Sequence, residues 1–351
     1  MSRDKVRVGF VGVGSMGQCA HLKNYAALPD CEVVAVAEIR AELGRKVAAR
    51  YGVPRVYPSH AEMLAAESLD GIVAAQPFDR HGALIPELLR AGVPVFTEKP
   101  LAASVQVGER LVEAAAASGT WWMVGYHKRS DPATACACAE ITRLKETGEL
   151  GRLTYVRILM PAGDWIAGGF NDMIGDAAPY PDLPRDPAPP DMDAETYRRY
   201  VTFVNYYIHQ VNLMRYLLDE PYRVTYADPS GVLLAGQSAS GAACTIEMTP
   251  YRTTIDWQES ALVCFEKGYV KLELPAPMAA NRPGRVEIFR DPGDAPPQTV
   301  IPQLPWTHAM RAQASNFLAA IRGAERPPCE AAEALEDLRV ARDYIRLWTG
   351  S

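Results

Sequence analysis

Short apolar runs alternate with longer amphipathic stretches over the first third of the chain. The runs have the length and composition of buried strands, and they lie at residues 6–11, 33–37, 71–75, 93–97 and 121–124. The stretches between them carry helix-start signals, such as the N-cap candidates Ser59 and Ser104. Strands that alternate with helices predict βαβ units and a parallel sheet.

The pattern changes after a predicted linking helix at residues 132–147. Strand-like segments then follow without helices between most of them, at residues 153–160, 223–226, 243–248, 261–265, 269–274 and 285–289. This order predicts a mainly antiparallel sheet. Helical patterns at 307–322 and 330–348 close the chain. The segment 161–190 is rich in Pro, Asp and Gly and predicts an irregular loop over the second domain.

Length and charge limit the class of protein. The chain has 351 residues, which at roughly 150 residues per domain predicts about two domains. A net charge of −6 without a basic run argues against nucleic acid or a membrane surface as a partner. Seven scattered cysteines, and the absence of a signal-peptide pattern, predict reduced thiols and a cytoplasmic location. Cys136 and Cys138 lack zinc-site spacing, so we predict no metal.

A glycine-rich turn joins the first predicted strand to the first predicted helix. It contains Gly12, Gly14, Ser15, Met16 and Gly17 in a G-x-G-x-x-G pattern. Bare glycines allow a tight turn and a close approach of the backbone to a pyrophosphate, and the helix N-terminus supplies N–H donors. The turn therefore predicts a dinucleotide site in a Rossmann domain. The alternative is a glycine turn that only packs a helix on a strand.

The end of the second predicted strand bears on the choice of cofactor. Glu38 lies about 20 residues past the glycines, where a carboxylate accepts hydrogen bonds from the adenosine ribose hydroxyls. This position favours NAD over NADP. Arg40 could instead meet a 2′-phosphate, and Glu38 could be a solvated acid at a strand end.

Further motifs carry a family resemblance. Glu98-Lys99-Pro100 ends the fifth predicted strand, at the edge where such sheets bind ligands. The accompanying motifs are Gln76-Pro77 with His81, Gly125-Tyr126-His127-Lys128-Arg129, the GELGRL run at 148–153 and the FLAAIRG run at 317–323. Together they resemble the Gfo/Idh/MocA (glucose-fructose oxidoreductase/inositol dehydrogenase) family over most of the chain.

The resemblance implies an α/β fold in two domains, with an active site between them. Residues 1–128 would form an N-terminal Rossmann domain with a parallel sheet, and residues 129–351 a substrate-binding and oligomerisation domain. The latter would be an α/β domain with an open, mainly antiparallel sheet. The resemblance adds Gln76, Pro77, His81, Glu98 and Lys99 to the dinucleotide-binding residues. It also implies a homo-oligomer, either a dimer or a tetramer.

The same resemblance implies the catalytic residues. Lys99 matches the lysine that contacts the reacting hydroxyl, and Asn205 to His209 match the family's Asp-x-x-x-His helix motif. On one helix, residues i and i+4 would share a face. Asn205 departs from the family's Asp, and an amide cannot accept a proton, so the base would be His209 or Lys99. A satisfied core histidine is the alternative for His209, and a surface lysine the alternative for Lys99.

The substrate is predicted from an excess of acid between residues 161 and 200. We expect Lys99, Tyr126, Arg129, Asp164, Trp165, Asn205 and His209 to contact it. Acidic residues with aromatics such as Trp165 and Tyr180 would suit a cationic amino sugar or aminocyclitol glycoside, as in antibiotic biosynthesis. A solvated acidic loop, with a neutral sugar or inositol as substrate, is the alternative.

Three functions fit these features. The first is an NAD-dependent dehydrogenase of a sugar or cyclitol, which Lys99 and His209 favour. The second is a non-catalytic dinucleotide-binding sensor, which Asn205 favours. The third is an NAD-dependent glycosidase that oxidises its substrate transiently and regenerates NAD.

Overall fold

The computed structural model describes residues 5–177, 179–249 and 251–350. It divides into two compact units. Within the described residues, the first unit contains the chain up to Tyr126, Gly169–Asp193 and Gln313–Leu338, and the second contains His127–Gly168, Ala194–Ala312 and the chain from Arg339 onward. The first change of unit thus falls two residues before the boundary expected from the sequence.

A six-stranded parallel sheet forms the centre of the first unit. Its strands are β1 Val6–Val11, β2 Cys31–Ala37, β3 Arg55–Tyr57, β4 Gly71–Ala74, β5 Val95–Glu98 and β6 Trp122–Gly125, in the order β3-β2-β1-β4-β5-β6. The order reverses at β1, so ligands of such a sheet are expected beyond the carboxyl ends of β1 and its neighbours. The predicted Rossmann sheet is confirmed, with the short strand β3 in addition.

Helices connect these strands. A π-helical turn, Gly17–Leu22, leads into α1 Lys23–Ala26, followed by α2 Ala41–Tyr51, α3 His60–Ala66, α4 His81–Leu89 and α5 Val105–Ala117. The predicted caps are present, since the Ser59 hydroxyl accepts from the Glu62 N–H at 3.2 Å. The Ser104 hydroxyl accepts from the Val107 N–H, also at 3.2 Å. Each cap satisfies an N–H that the first turn leaves unpaired.

An apolar cluster on the first sheet includes residues from the far end of the sequence. Phe10 packs edge to face on Tyr25, with ring centroids 5.4 Å apart. The ring centroid of Phe317 lies 6.3 Å from that of Tyr25 and 5.7 Å from that of Phe96. Phe317 is fully buried and belongs to the cluster with Ala314 and Leu318. The helix that carries Phe317 therefore belongs, from Gln313 onward, to the core of the first unit.

The second unit contains an eight-stranded sheet. Its strands are β7 Leu153–Leu159, β8 Tyr222–Ala227, β9 Leu233–Ser238, β10 Ala243–Glu247, β11 Ser260–Phe265, β12 Gly268–Glu273, β13 Arg285–Arg290 and β14 Gln298–Val300, in the order β14-β13-β12-β11-β7-β10-β9-β8. Neighbours are antiparallel except for β7 and β10, which are parallel. The predicted mainly antiparallel sheet is confirmed, with β9 and β14 in addition.

The remaining helices are α6 Pro132–Thr147, α7 Ala194–Tyr206, α8 Ile208–Leu218, α9 Ala309–Ile321 and α10 Ala331–Thr349. The single helix expected through Asn205 and His209 is divided in two, since α7 ends at Tyr206 and α8 begins at Ile208, with Tyr207 between them. Asn205 ends up exposed near the end of α7, whereas His209 is buried in the first turn of α8. In the described residues, no helix has both the length and the apolar character needed to cross a bilayer.

Candidate functional site

The glycine turn has the backbone conformation that a dinucleotide site requires. Gly12 has φ +89°, and a Cβ on it would collide with the Gln76 amide. A Cβ on Gly17 would lie 2.5 Å from the Gly12 carbonyl oxygen, so this residue lets the helix start close to the strand. Gly14 differs, because only the Arg40 guanidinium lies near its Cβ direction, at 3.7 Å. The bare backbone at Gly14 is therefore accessible to a ligand, whereas Gly12 and Gly17 are needed for packing.

Glu38 closes the other side of the turn. One carboxylate oxygen, Oε2, accepts from the Val13 N–H at 2.9 Å, and Oε1 accepts from the Arg40 N–H at 3.1 Å. The Arg40 side chain also donates from Nε to Oε1 at 2.8 Å, and this hydrogen bond raises the pKa of Arg40. A buried carboxylate is thus held beside the turn, where it would accept hydrogen bonds from the ribose hydroxyls of an NAD adenosine.

The end of β4 supplies the opposite wall. The Gln76 amide donates to the Val11 carbonyl at 3.3 Å, and its Oε1 accepts from Arg80 at 2.9 Å. Pro77 follows it and is exposed. Gln76 and Pro77 therefore lie at the same sheet edge as the glycine turn, as expected.

The end of β5 carries a buried acid and the predicted catalytic lysine. Glu98 Oε1 lies 2.7 Å from His21 Nε2, and Glu98 Oε2 accepts from the Lys99 N–H at 3.2 Å. Burial opposes ionisation of Glu98, but the hydrogen bond and charge of His21 outweigh it, so the pKa of this carboxyl is lowered. Lys99 is half-buried, and a cis peptide bond joins it to Pro100.

His81 lies beneath this edge rather than on it. The ring is fully buried, and Nδ1 lies 2.9 Å from the Leu101 carbonyl oxygen, to which it donates. Burial lowers the pKa of His81, so the ring is neutral at physiological pH. The buried His81 ring therefore supports the loop after Lys99 through the Leu101 carbonyl.

The acid-rich segment differs from the sequence expectation. The irregular segment 161–190 is expected to lie over the second domain, but the chain from Gly169 onward packs in the first unit. We call the part assigned to that unit, Gly169–Asp193, the strap. The buried Gln18 amide forms two hydrogen bonds with the backbone of Ile174, at 2.9 and 3.0 Å. Farther along, Asp186 Oδ2 accepts from the Gly82 N–H at 3.0 Å, and Arg185 pairs with Asp79 at 2.6 Å. These polar contacts explain why the strap belongs to the first unit.

The second unit brings together two imidazoles. The rings of His127 and His209 meet edge to face with centroids 4.5 Å apart, and both residues are buried. His127 follows the Gly125-Tyr126 end of β6, and His209 lies in the first turn of α8. The helix α8, which begins just after Tyr207, thus places His209 against a second imidazole.

A buried acid links the two segments that carry these histidines. Glu259 Oε2 lies 2.5 Å from Lys128 Nζ, and its Oε1 accepts from the Gln210 side chain at 2.7 Å. The side chains of Glu259 and Lys128 are 0% and 4% exposed. Both charges are removed from water, so the attraction between them offsets the cost of desolvation only when the geometry is close and the remaining hydrogen bonds are made. Glu259 thus fixes the positions of the neighbours of His127 and His209.

The other predicted substrate contacts have different environments. Tyr126 is buried in the first unit. Arg129 is buried in the second, donating from Nε to the Asn212 side chain at 2.8 Å. Asp164 accepts from the Ile166 N–H at 3.0 Å within its own turn, and Trp165 is half-buried beside it.

Sequence reasoning missed the roles of Glu259, Gln210 and His127. His127 and Lys128 stand in a motif that was recognised, but nothing in the motif indicates which of its residues faces His209. Glu259 is a lone acid before a strand, and no sequence pattern pairs it with Lys128 across more than a hundred residues.

Comparisons with known proteins show which family and fold the chain is similar to. The Gfo/Idh/MocA model, described as "Oxidoreductase family, NAD-binding Rossmann fold", matches residues 6–126. The inositol 2-dehydrogenase of Rhizobium meliloti (strain 1021) is 27% identical over 339 residues, which cover 92% of this chain and 91% of that protein. The myo-inositol 2-dehydrogenase of Thermotoga maritima is 23% identical over 225 residues, which cover 64% of this chain and 58% of that protein.

A solved structure shares the whole fold. The myo-inositol dehydrogenase from Lactobacillus casei, in complex with NAD(H) and myo-inositol, matches with a TM-score of 0.70 and 19% identity. The match covers 98% of this chain and 95% of that chain. At this identity the likeness establishes the fold alone.

Proposed function

Because the chain belongs to the Gfo/Idh/MocA family of oxidoreductases, which act on CH–OH groups with NAD(P), we propose that it is an NAD-dependent dehydrogenase. It would oxidise a secondary hydroxyl of a sugar or cyclitol. The observation that carries the proposal is the accessible backbone at Gly14 beside the buried Glu38 carboxylate. Together they provide a place for a pyrophosphate and an acceptor for ribose hydroxyls.

The first unit fits a nicotinamide dinucleotide. The turn from Gly12 to Gly17, including Ser15 and Met16, would hold the pyrophosphate, and Glu38 would bind the adenosine ribose. Gln76 and Pro77 would line the path toward β5. A bound nicotinamide supplies a carbon that accepts a hydride from the carbinol carbon of the substrate.

The chain's own residues would handle the proton. An imidazole nitrogen of His209 takes the hydroxyl proton, and the Lys99 ammonium stabilises the developing alkoxide. Asn205 can donate a hydrogen bond to a substrate oxygen but cannot take a proton. The alcohol thus loses a hydride and a proton and leaves as a ketone. The fixed position of His209 against His127 supports this assignment, since a general base must be held in place to act.

The acids of the segment 161–200 give less support to a cationic substrate than their number in the sequence predicts. Two of its carboxylates are used within the first unit, because Asp186 binds the Gly82 N–H and Asp191 accepts from Gln106 at 3.1 Å. Those two acids therefore serve to dock the strap. We propose a neutral sugar or cyclitol as the first class to test, and an amino-sugar glycoside from antibiotic biosynthesis as the second.

Reduced-nicotinamide absorbance tests the proposal. The purified protein is mixed with NAD or NADP and a panel of inositols, neutral sugars and amino-sugar glycosides, and dinucleotide binding is measured by calorimetry in parallel. Turnover with NAD on inositols or neutral sugars is the expected result. Tight dinucleotide binding without any net reduction across the panel would contradict it and favour a sensor or a glycosidase. Release of aglycone in the same mixtures separates those two.

We propose a cytoplasmic homo-oligomer, either a dimer or a tetramer. Mass photometry of the purified protein tests the assembly, and a single peak at the 38.4 kDa of one chain would contradict it.

A further inference from the structure

The strap is anchored on both sides of Tyr180. Before Tyr180, the backbone of Ile174 is paired twice with the Gln18 side chain of the helical turn that follows Gly17. After it, Asp186 is bound to the first turn of α4 through the Gly82 N–H. Anchors on both sides limit the positions that Tyr180 can reach, so an exposed tyrosine is held at the nucleotide-binding edge.

Tyr180 spans two strand ends of the dinucleotide site. Its ring centroid lies 5.2 Å from the central guanidinium carbon of Arg40, which follows β2. Its hydroxyl lies 3.5 Å from Gln76 Oε1, beyond the end of β4. The glycine turn lies after β1, which is between β2 and β4 in the sheet. The ring of Tyr180 therefore contacts one wall of the turn, and its hydroxyl contacts the other.

Arg40 is the side chain beside the glycine turn that could bind the 2′-phosphate of NADP. An arginine in this region accommodates the 2′-phosphate of NADP, whereas an acid binds the 2′-hydroxyl of NAD. In this structure the Arg40 guanidinium is paired with Glu38 and covered by the Tyr180 ring. To meet a 2′-phosphate, the guanidinium would have to give up both contacts.

We propose that Tyr180 is a positioning residue that sets the choice of dinucleotide, because it keeps Arg40 on Glu38 and away from a 2′-phosphate. The proposal depends on the proposed function in one respect: the first unit must bind a nicotinamide dinucleotide. It requires no substrate and no turnover.

The test is the ratio of the dissociation constants of NADPH and NADH, measured by reduced-nicotinamide fluorescence with the full chain. In Tyr180→Ala the ratio falls about threefold to fivefold, which is the change in affinity that corresponds to the loss of a partly exposed cation–π contact. Tyr180→Phe keeps the ring and leaves the ratio within roughly twofold of wild type. Arg40→Ala in the Tyr180→Ala background abolishes the fall, because Tyr180 acts through Arg40.

Controls separate this effect from loss of structure. Tyr226→Ala removes an equally exposed tyrosine, at 49% against 45% for Tyr180, from a strand of the other unit, and it leaves the ratio unchanged. An unchanged ratio in Tyr180→Ala, or a fall that persists without Arg40, would overturn the proposal. The wild-type ratio alone tests the proposed preference for NAD, so the two proposals can fail separately.

Discussion

His127 and His209 come from distant parts of the chain, and their imidazole rings meet edge to face at 4.5 Å. If His209 takes the substrate proton, its removal deletes the base and leaves the dinucleotide site of the first unit intact. We therefore expect His209→Gln to lower kcat by about 10² to 10⁴-fold, the usual contribution of a general base. NADH affinity, measured by fluorescence, stays within about twofold of wild type.

His127 provides the matched control. His127→Phe keeps an aromatic ring against His209, so we expect most of the activity to remain. His127→Ala removes the contact and lets the His209 ring turn, and here kcat should fall. Equal activity in both variants would show that the ring contact does not position His209.

Gly14 and Gly17 should respond differently to the same substitution. Gly14→Ala places a methyl group on accessible backbone, so the protein folds normally but loses at least about tenfold in NADH affinity. Gly17→Ala places it 2.5 Å from the Gly12 carbonyl, and the strained packing should cost about 1–3 kcal/mol of stability. Urea unfolding and NADH fluorescence on both variants check this, and normal affinity in folded Gly14→Ala would remove Gly14 from the site.

Replacing the buried Glu259 should lower the stability of the second unit. Glu259→Gln leaves the Lys128 ammonium buried without its counter-charge, and we expect a loss of about 3–5 kcal/mol in the free energy of unfolding. Replacing both members, as Lys128→Met with Glu259→Leu, should recover much of that loss. Urea denaturation of the single and double variants measures it, and a double variant as unstable as Glu259→Gln would contradict the charge argument.

The Glu98 carboxyl should make the free energy of unfolding depend on pH in the acidic range. Its pKa is lowered in the folded protein, so the unfolded chain binds the proton more tightly. The stabilisation is complete above the ordinary carboxyl pKa of about 4.3 and is lost as the pH falls through the lower folded value. We expect the stability difference between wild type and Glu98→Gln to shrink between about pH 5 and about pH 3. A difference that stays constant over that range would contradict the assignment.

Periodicity predicted the elements that carry strong local patterns. The alternation of strands and helices up to residue 126, the linking helix Pro132–Thr147 and most of the second sheet are confirmed. β3 was missed because three residues, Arg55–Tyr57, are too short for a pattern. β9 was missed because Gly236 and Ser238 weaken its strand character, although pairing with β8 and β10 stabilises it.

Features that depend on tertiary contacts could not be predicted. The turn at Tyr207 lies in a segment whose residues all tolerate a helix, so nothing local marks the interruption. The strap is polar and irregular, and its location depends on Gln18 and Gly82, which lie far from it in sequence. Local motifs predicted the glycine turn, Glu38 and Lys99. The contacts of Glu259 with Lys128 and of Tyr180 with Arg40 join residues far apart in sequence, so no local pattern predicts them.

Phe317 completes the core beneath the parallel sheet, although β1 to β6 all precede residue 126. During synthesis, the six strands leave the ribosome long before this side chain exists. The nascent sheet must then keep the apolar surface around Tyr25 and Phe96 uncovered until nearly the whole chain has been made. Chaperone binding to the unfinished protein should therefore persist until the segment Gln313–Leu338 emerges, and fragments that stop before it should aggregate.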